Sequence, residues 1–226
     1  MDPFILDQIE FTVSPQSVLK KLHVREGSKN EGQVLKLVKE AQRIGRPRAM
    51  YTITGIDERD ENGVVLGGIR MDSRILSVNL IGLHRVFPYI ATSGRELYDW
   101  KNTKDDMLEV FYAEEISQMA LWVAGEALLS YLKETYQLGK TATMNPGSLK
   151  DWPINAQRSL FKLLGNPEEA IGVKLLESLL MIPNQTVSGI RFASESGFSN
   201  CELCPRENCD HRGAPYDKEL LQKKYQ

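Results

Sequence analysis

Between Ala49 and Thr92 the chain carries four runs: Tyr51-Thr52-Ile53-Thr54, Val64-Val65-Leu66, Ile75-Leu76-Ser77-Val78-Asn79-Leu80-Ile81 and Val86-Phe87-Pro88-Tyr89-Ile90-Ala91-Thr92. Each is rich in β-branched and aromatic residues and reads as a strand. The acidic stretch from Asp57 to Gly63 suits a water-exposed hairpin tip, and Gly67-Gly68 marks a further break. The runs lie too close together to admit helical crossovers, so they pair largely antiparallel. The expected class is therefore α+β: a mixed, largely antiparallel sheet with flanking helices.

Working outward, the segments on either side read as helical. Ser14-Pro15 opens one helix, with serine as N-cap and proline at the first helical position. Val34, Leu37, Val38 and Ala41 give a second its apolar stripe, and Gly45-Arg46-Pro47 ends it. From Asp105 to about Thr135, apolar residues recur at helical spacing, with Asp105 and Asp106 at the start, where the helix dipole favours them. A polar loop runs from Gly139 to Pro153. A helix over 155–164 and a strand over Thr186–Ala193 follow. Residues 1–195 form the main body, and 196–226 a small Cys-containing C-terminal extension ending in a charged helix.

The 226 residues are enough to bury a sizeable core without staples. A net charge of -2 argues against a nucleic-acid footprint. No apolar run reaches the ~18 residues of a membrane span, and acidic residues occupy the start where a signal peptide is basic. The expectation is a cytoplasmic protein.

Four stretches together resemble the reactivation domain of cobalamin-dependent methionine synthase. Met144-Asn145-Pro146-Gly147-Ser148-Leu149 is similar to its Pro-Gly loop. Leu175-Leu176-Glu177-Ser178 with Met181-Ile182-Pro183 is similar to its Leu-Thr-Glu-Ser…Met…Pro segment, and Thr186-Val187-Ser188-Gly189 to its Ser-Val-Ser-Gly strand. Gln157 to Leu164 fits the intervening helix. Order and spacing agree across residues 144–193. Upstream, Gly125-Glu126-Ala127 with Tyr131-Leu132-Lys133-Glu134 is similar to the end of the family's long helix, and 86–100 resembles the short stand-alone relatives.

The resemblance implies a domain that presents S-adenosylmethionine to the cobalt of an inactive cobalamin while an electron donor reduces it. It implies that Glu126 contacts the ligand, that Pro146 and Gly147 form a loop the ligand approaches closely, and that Ser188 and Gly189 flank the site. Two positions depart from the family. Its loop arginine, three residues before Pro-Gly, is here Thr143. Its aromatic residue two after the strand glycine is here Arg191, which can return the missing charge from the facing strand. The chain has no Asp-x-His-x-x-Gly motif. Cobalamin is thus expected on a partner in trans, a corrinoid-binding protein or methyltransferase. The alternative is a corrinoid-protein-binding module, or a metal or redox subunit, of a methyltransferase system without S-adenosylmethionine chemistry.

The three cysteines fall in Cys201-Glu202-Leu203-Cys204-Pro205-Arg206-Glu207-Asn208-Cys209-Asp210-His211. The two-residue gap lets Cys201 and Cys204 reach one metal, and Cys209 and His211 complete four ligands. Zinc takes such a set. An iron–sulfur cluster usually wants four cysteines and would need His211, an outside ligand or an open iron. The other reading is three reduced cysteines in a surface turn. Of the tryptophans, Trp152 in Asp151-Trp152-Pro153 is the candidate rim contact for a planar ligand, while Trp100 and Trp122 sit in helical patterns.

Overall fold

In the computed structural model, which describes residues 3–195, 197–209 and 212–225, the β-formers between Ala49 and Thr92 pair antiparallel. The chain begins with β1 (Phe4–Leu6), α1 (Pro15–Lys21), α2 (Glu31–Ile44), β2 (Arg48–Tyr51), β3 (Thr54–Asp60), β4 (Gly63–Leu66) and β5 (Ile69–Asp72). Then come α3 (Arg74–Asn79), β6 (Arg85–Thr92), α4 (Arg95–Lys101), α5 (Met107–Tyr136) and β7 (Thr141–Met144). It continues through α6 (Gln157–Leu164), α7 (Pro167–Ile171), β8 (Lys174–Leu175), β9 (Met181–Ile182), β10 (Thr186–Ala193) and α8 (Lys218–Tyr225).

Strand β6 is the centre of an eight-stranded sheet. On one side it pairs with β2 and then β3 in a single register, from Arg48↔Thr92 to Gly55↔Arg85. On the other side it pairs with β10, and β10 carries β7 at the edge. The outer flank is shared: β1 adds to β2, and β4 adds to β3 and leads to β5. β8 and β9 form a separate small hairpin. At the β3–β4 tip, Asp60 accepts from Arg70 and from the N–H groups of Asn62 and Gly63. Arg70 and these amides hold the Asp60 carboxyl down at about 2.

The strand alternation sorts the core into two faces. Tyr51, Phe87, Tyr89 and Ala91 face Leu121, Ala124, Leu128 and Leu132 of α5. Met50, Ile90, Met144, Ile190 and Phe192 face the opposite way, toward Trp152, Leu160 and Leu164. Phe198, Leu203 and Tyr225 of the C-terminal segment join this second cluster. A third cluster joins α1, α2 and α4 to the first half of α5 through Val18, Leu37, Leu97 and Ile116. No described helix is long and apolar enough to cross a membrane.

Two segments and one tryptophan differ from the sequence reading. Residues 75–81 are not a strand, because 74–79 form α3. The cause is a cap assembled from two places in the chain. The Ser73 hydroxyl accepts from Leu76 N–H at 3.0 Å, and Asp151 accepts from the Ser73 hydroxyl and from the N–H groups of Arg74 and Ile75. These bonds satisfy orphan donors of the first turn and outweigh β propensity. Residues 141–144 belong to an edge strand rather than a loop. Trp152 is fully buried, so it is core and not a rim contact. Replacing Asp151 with alanine leaves two backbone donors and a buried hydroxyl unpaired. We expect a loss of about 1–3 kcal/mol, read as a lower urea midpoint, and no loss for Glu61→Ala at the exposed hairpin tip.

Candidate functional site

Beyond the edge of α5, the first sheet face continues onto β10 and β7 with polar side chains. Arg191 lies directly across from Thr143 in the β10–β7 ladder, and Gly189 lies across from Tyr89 in the β10–β6 ladder. The Arg191 guanidinium stands 5.7 Å from the Tyr89 ring centre, a cation–π arrangement, and its Nη1 donates to Thr141 Oγ1 at 3.0 Å. Its Nε is buried and has no partner among the described residues. The Tyr89 and Thr143 hydroxyls are 3.0 Å apart.

Asn145 ties this seam to the loop. Its amide donates to the Ser188 carbonyl at 2.8 Å and to the Tyr89 hydroxyl at 3.1 Å. Its own carbonyl accepts from Asn200 Nδ2 at 3.0 Å. The absence of a side chain at Gly189 makes room for this. A Cβ there would lie 2.5 Å from Asn145 Nδ2 and 2.6 Å from the Met144 carbonyl oxygen. Ser188, one residue earlier, points to the other face, where it is buried and its hydroxyl accepts from Gln157 Nε2 at 3.2 Å.

Pro146 is buried beside Gly147, which turns the loop with φ of +84° and donates to the Trp152 carbonyl at 2.8 Å. Ile154 lies over it: a Cβ at 147 would meet Ile154 Cδ1 at 2.9 Å. The exposed side of Gly147 opens on a cavity of about 830 Å³ lined also by Leu149, Cys204, Arg206 and Tyr216. Glu126 is elsewhere. It is exposed on α5 and lines a different cavity of about 780 Å³, with Ile9, Lys21 and Trp122. The structure thus joins Arg191, Thr143 and Gly189 through Tyr89 and Asn145, and leaves Glu126 apart from the Gly147 cavity.

The cysteines do not make a metal centre among the described residues, where no group of three histidine, cysteine or acidic side chains is close enough to hold an ion. His211, expected as the fourth ligand, lies outside the described residues. Cys201, Cys204 and Cys209 are free and half-buried. Burial pushes the Cys201 thiol up, but the Gly213 N–H, the Ser199 hydroxyl, the Ala214 N–H and the Arg212 charge together hold it below the usual thiol range. Arg212 occupies the middle of the turn, donating to the carbonyls of Cys201, Cys204, Arg206 and Ala214.

Tyr89, Asn200 and Gln157 were not singled out by sequence, since each acquires its role only through a partner far along the chain. The packing at Gly189 makes the seam intolerant of a methyl group. Gly189→Ala is expected to lose about 1–3 kcal/mol of stability, seen in chemical denaturation, because the Asn145 amide must move.

No protein-family profile and no curated protein sequence matches the chain. Among solved structures, the chain is similar to the MetH reactivation domain bound to AdoHcy, with a TM-score of 0.56 and 14% identity. The match covers 85% of this chain and 78% of that one. At this identity the comparison establishes a shared fold: the chain has the architecture of the MetH reactivation domain.

Proposed function

We propose that this chain is a relative of the methionine synthase reactivation domain, which holds S-adenosylmethionine for a corrinoid carried by a partner protein. The observation that carries the reading is the cross-strand pair of Arg191 and Thr143. Directly paired positions in an antiparallel ladder hold their Cβ atoms about 5 Å apart. A guanidinium on Arg191 therefore serves nearly the same space as the family arginine that Thr143 replaces. One edge of the fork is committed to Thr141, and the unpaired Nε leaves a donor for the ligand carboxylate.

Each neighbouring residue has a task in this reading. The Tyr89 ring steadies Arg191 from below, and the Tyr89 and Thr143 hydroxyls offer further hydrogen bonds. Asn145 holds the Pro146-Gly147 loop against β10, and Ser188 and Gly189 fit that contact on the two faces of the strand. When bound, S-adenosylmethionine supplies the methyl group that caps the reduced corrinoid, with the electron coming from a separate donor. Glu126 belongs to this site only if the ligand reaches the α1 side of α5.

A second reading rests on Ile154, which fills the space over Gly147. In it the chain docks on a corrinoid protein and handles no S-adenosylmethionine. Calorimetry separates the two. The first reading expects S-adenosylmethionine and S-adenosylhomocysteine to bind at or below about 100 μM, roughly -5.5 kcal/mol. Arg191→Ala should weaken binding at least about tenfold, with partial recovery in Arg191→Lys. Unchanged affinity in Glu126→Ala places the ligand on the seam, whereas its loss there moves the site to the α1 cavity. Equal binding by Arg191→Ala and the parent removes Arg191 from the site. Absence of binding up to millimolar ligand, with a corrinoid protein present, leaves the docking reading.

A further inference from the structure

The turn after β10 gathers reactive side chains that the ligand reading does not use. Asn200–Leu203 is a 3₁₀ turn, and the Cys204 N–H donates to the Cys201 carbonyl at 3.3 Å. In that geometry side chains at i and i+3 eclipse one another and each residue rises about 2.0 Å. Cys201 and Cys204 therefore project to one side with Cα atoms roughly 6 Å apart, inside the span of about 4.4–6.8 Å that a disulfide bridges.

The turn is held at both ends by backbone and side-chain hydrogen bonds. Ser199 and Glu202 form a capping box, with the Ser199 hydroxyl accepting from Cys201 N–H and the Glu202 carboxylate accepting from Ser199 N–H at 2.9 Å. The Gly213 N–H points at Cys201 Sγ from 3.3 Å. Arg212 brings a guanidinium to the carbonyls of both cysteines. Cys204 lines the cavity beside Gly147, and Cys201 and Cys204 are both half-buried, so each keeps part of its surface open to a small molecule.

We propose that Cys201 and Cys204 are a redox-active dithiol that exchanges with small-molecule disulfides. The Cys201 thiolate attacks one sulfur of the incoming disulfide, forming a mixed disulfide and releasing one thiolate, which takes a proton from solvent. Cys204 gives its proton to solvent and attacks Cys201 Sγ, forming the internal bond and expelling the second small thiol. The pair loses two electrons and the incoming disulfide gains them. Neither S-adenosylmethionine nor a corrinoid takes part, so this inference stands or falls apart from the function above.

The full chain is equilibrated with reduced and oxidised glutathione at several ratios, without air and with a chelator, then blocked with N-ethylmaleimide and cut with trypsin. Cleavage after Arg191 and Arg206 puts Cys201 and Cys204 on one peptide and Cys209 on the next. The expected result is a 192–206 peptide that reversibly loses both labels and two hydrogens while Cys209 stays labelled. Cys204→Ser should stall with glutathione on Cys201, at least about tenfold more than on Cys209. The proposal is overturned if both cysteines stay labelled at every ratio, or if Cys209 pairs with Cys201 as readily as Cys204 does. One zinc per chain in the untreated protein, shielding all three thiols from label, overturns it as well.

Discussion

Pro88 sits in the middle of the central strand and cannot donate a hydrogen bond, and much of the architecture follows from which neighbour bears that loss. Its carbonyl accepts from Thr52 N–H at 3.0 Å, so the side of Pro88 that lacks a donor faces the β2–β3 strand. On a strand, the N–H and C=O of one residue point to the same neighbour. The ladder is therefore broken opposite Pro88, where Thr52 and Ile53 separate β2 from β3, although the register runs on unchanged. A break in the ladder frees the strand to bend. Its two halves then accept different partners on their outer edges, β1 on one and β4 on the other. The opposite side of β6 is spared, and β10 pairs along it without interruption from Thr186 to Arg191. The unbroken side is the one that carries the seam.

The sheet was legible where period-two alternation and burial coincide. Phe87, Tyr89 and Ala91 face α5, and Val86 and Ile90 face away, as the alternation in 86–92 requires. The strand over 186–193 was readable for the same reason, and the long helix from apolar residues recurring at helical spacing. Segment 75–81 was not, because its composition favours a strand while its first turn is capped by Asp151, far along the chain. Thr141–Met144 alternates too, but four residues at a sheet edge carry little pattern. Within the candidate site, positions 143 and 191 could be picked out from the chain, and the ladder sets them directly across from one another. The Tyr89–Asn145–Asn200 network could not, since amide and hydroxyl partners leave no periodic trace.

The two faces also explain what the Ser188-Gly189 pair does. Ser188 and Gly189 are adjacent, so they serve opposite sides of the sheet. Ser188 fastens α6 through Gln157, and Gly189 admits the Asn145 amide that fastens the Pro-Gly loop. Both residues act on the scaffold. Thr143 and Arg191 are the positions whose side chains line the seam. Residues that fasten the scaffold and residues that line the seam are thus separate positions on the same strands.

The same division of labour extends into the C-terminal turn. Phe198, Leu203 and Tyr225 bury this segment against the second core face, and burial pushes the Tyr225 hydroxyl up to about 12. A turn of this kind exposes several carbonyls to one point, and a cation is the usual way to satisfy them. Here Arg212 does so with a planar fork of donors. The same guanidinium charge favours the thiolate form of Cys201. Asn200, on the same turn, donates at 3.0 Å to Asn145, the residue that locks the Pro-Gly loop, so one hydrogen bond links the turn to the seam.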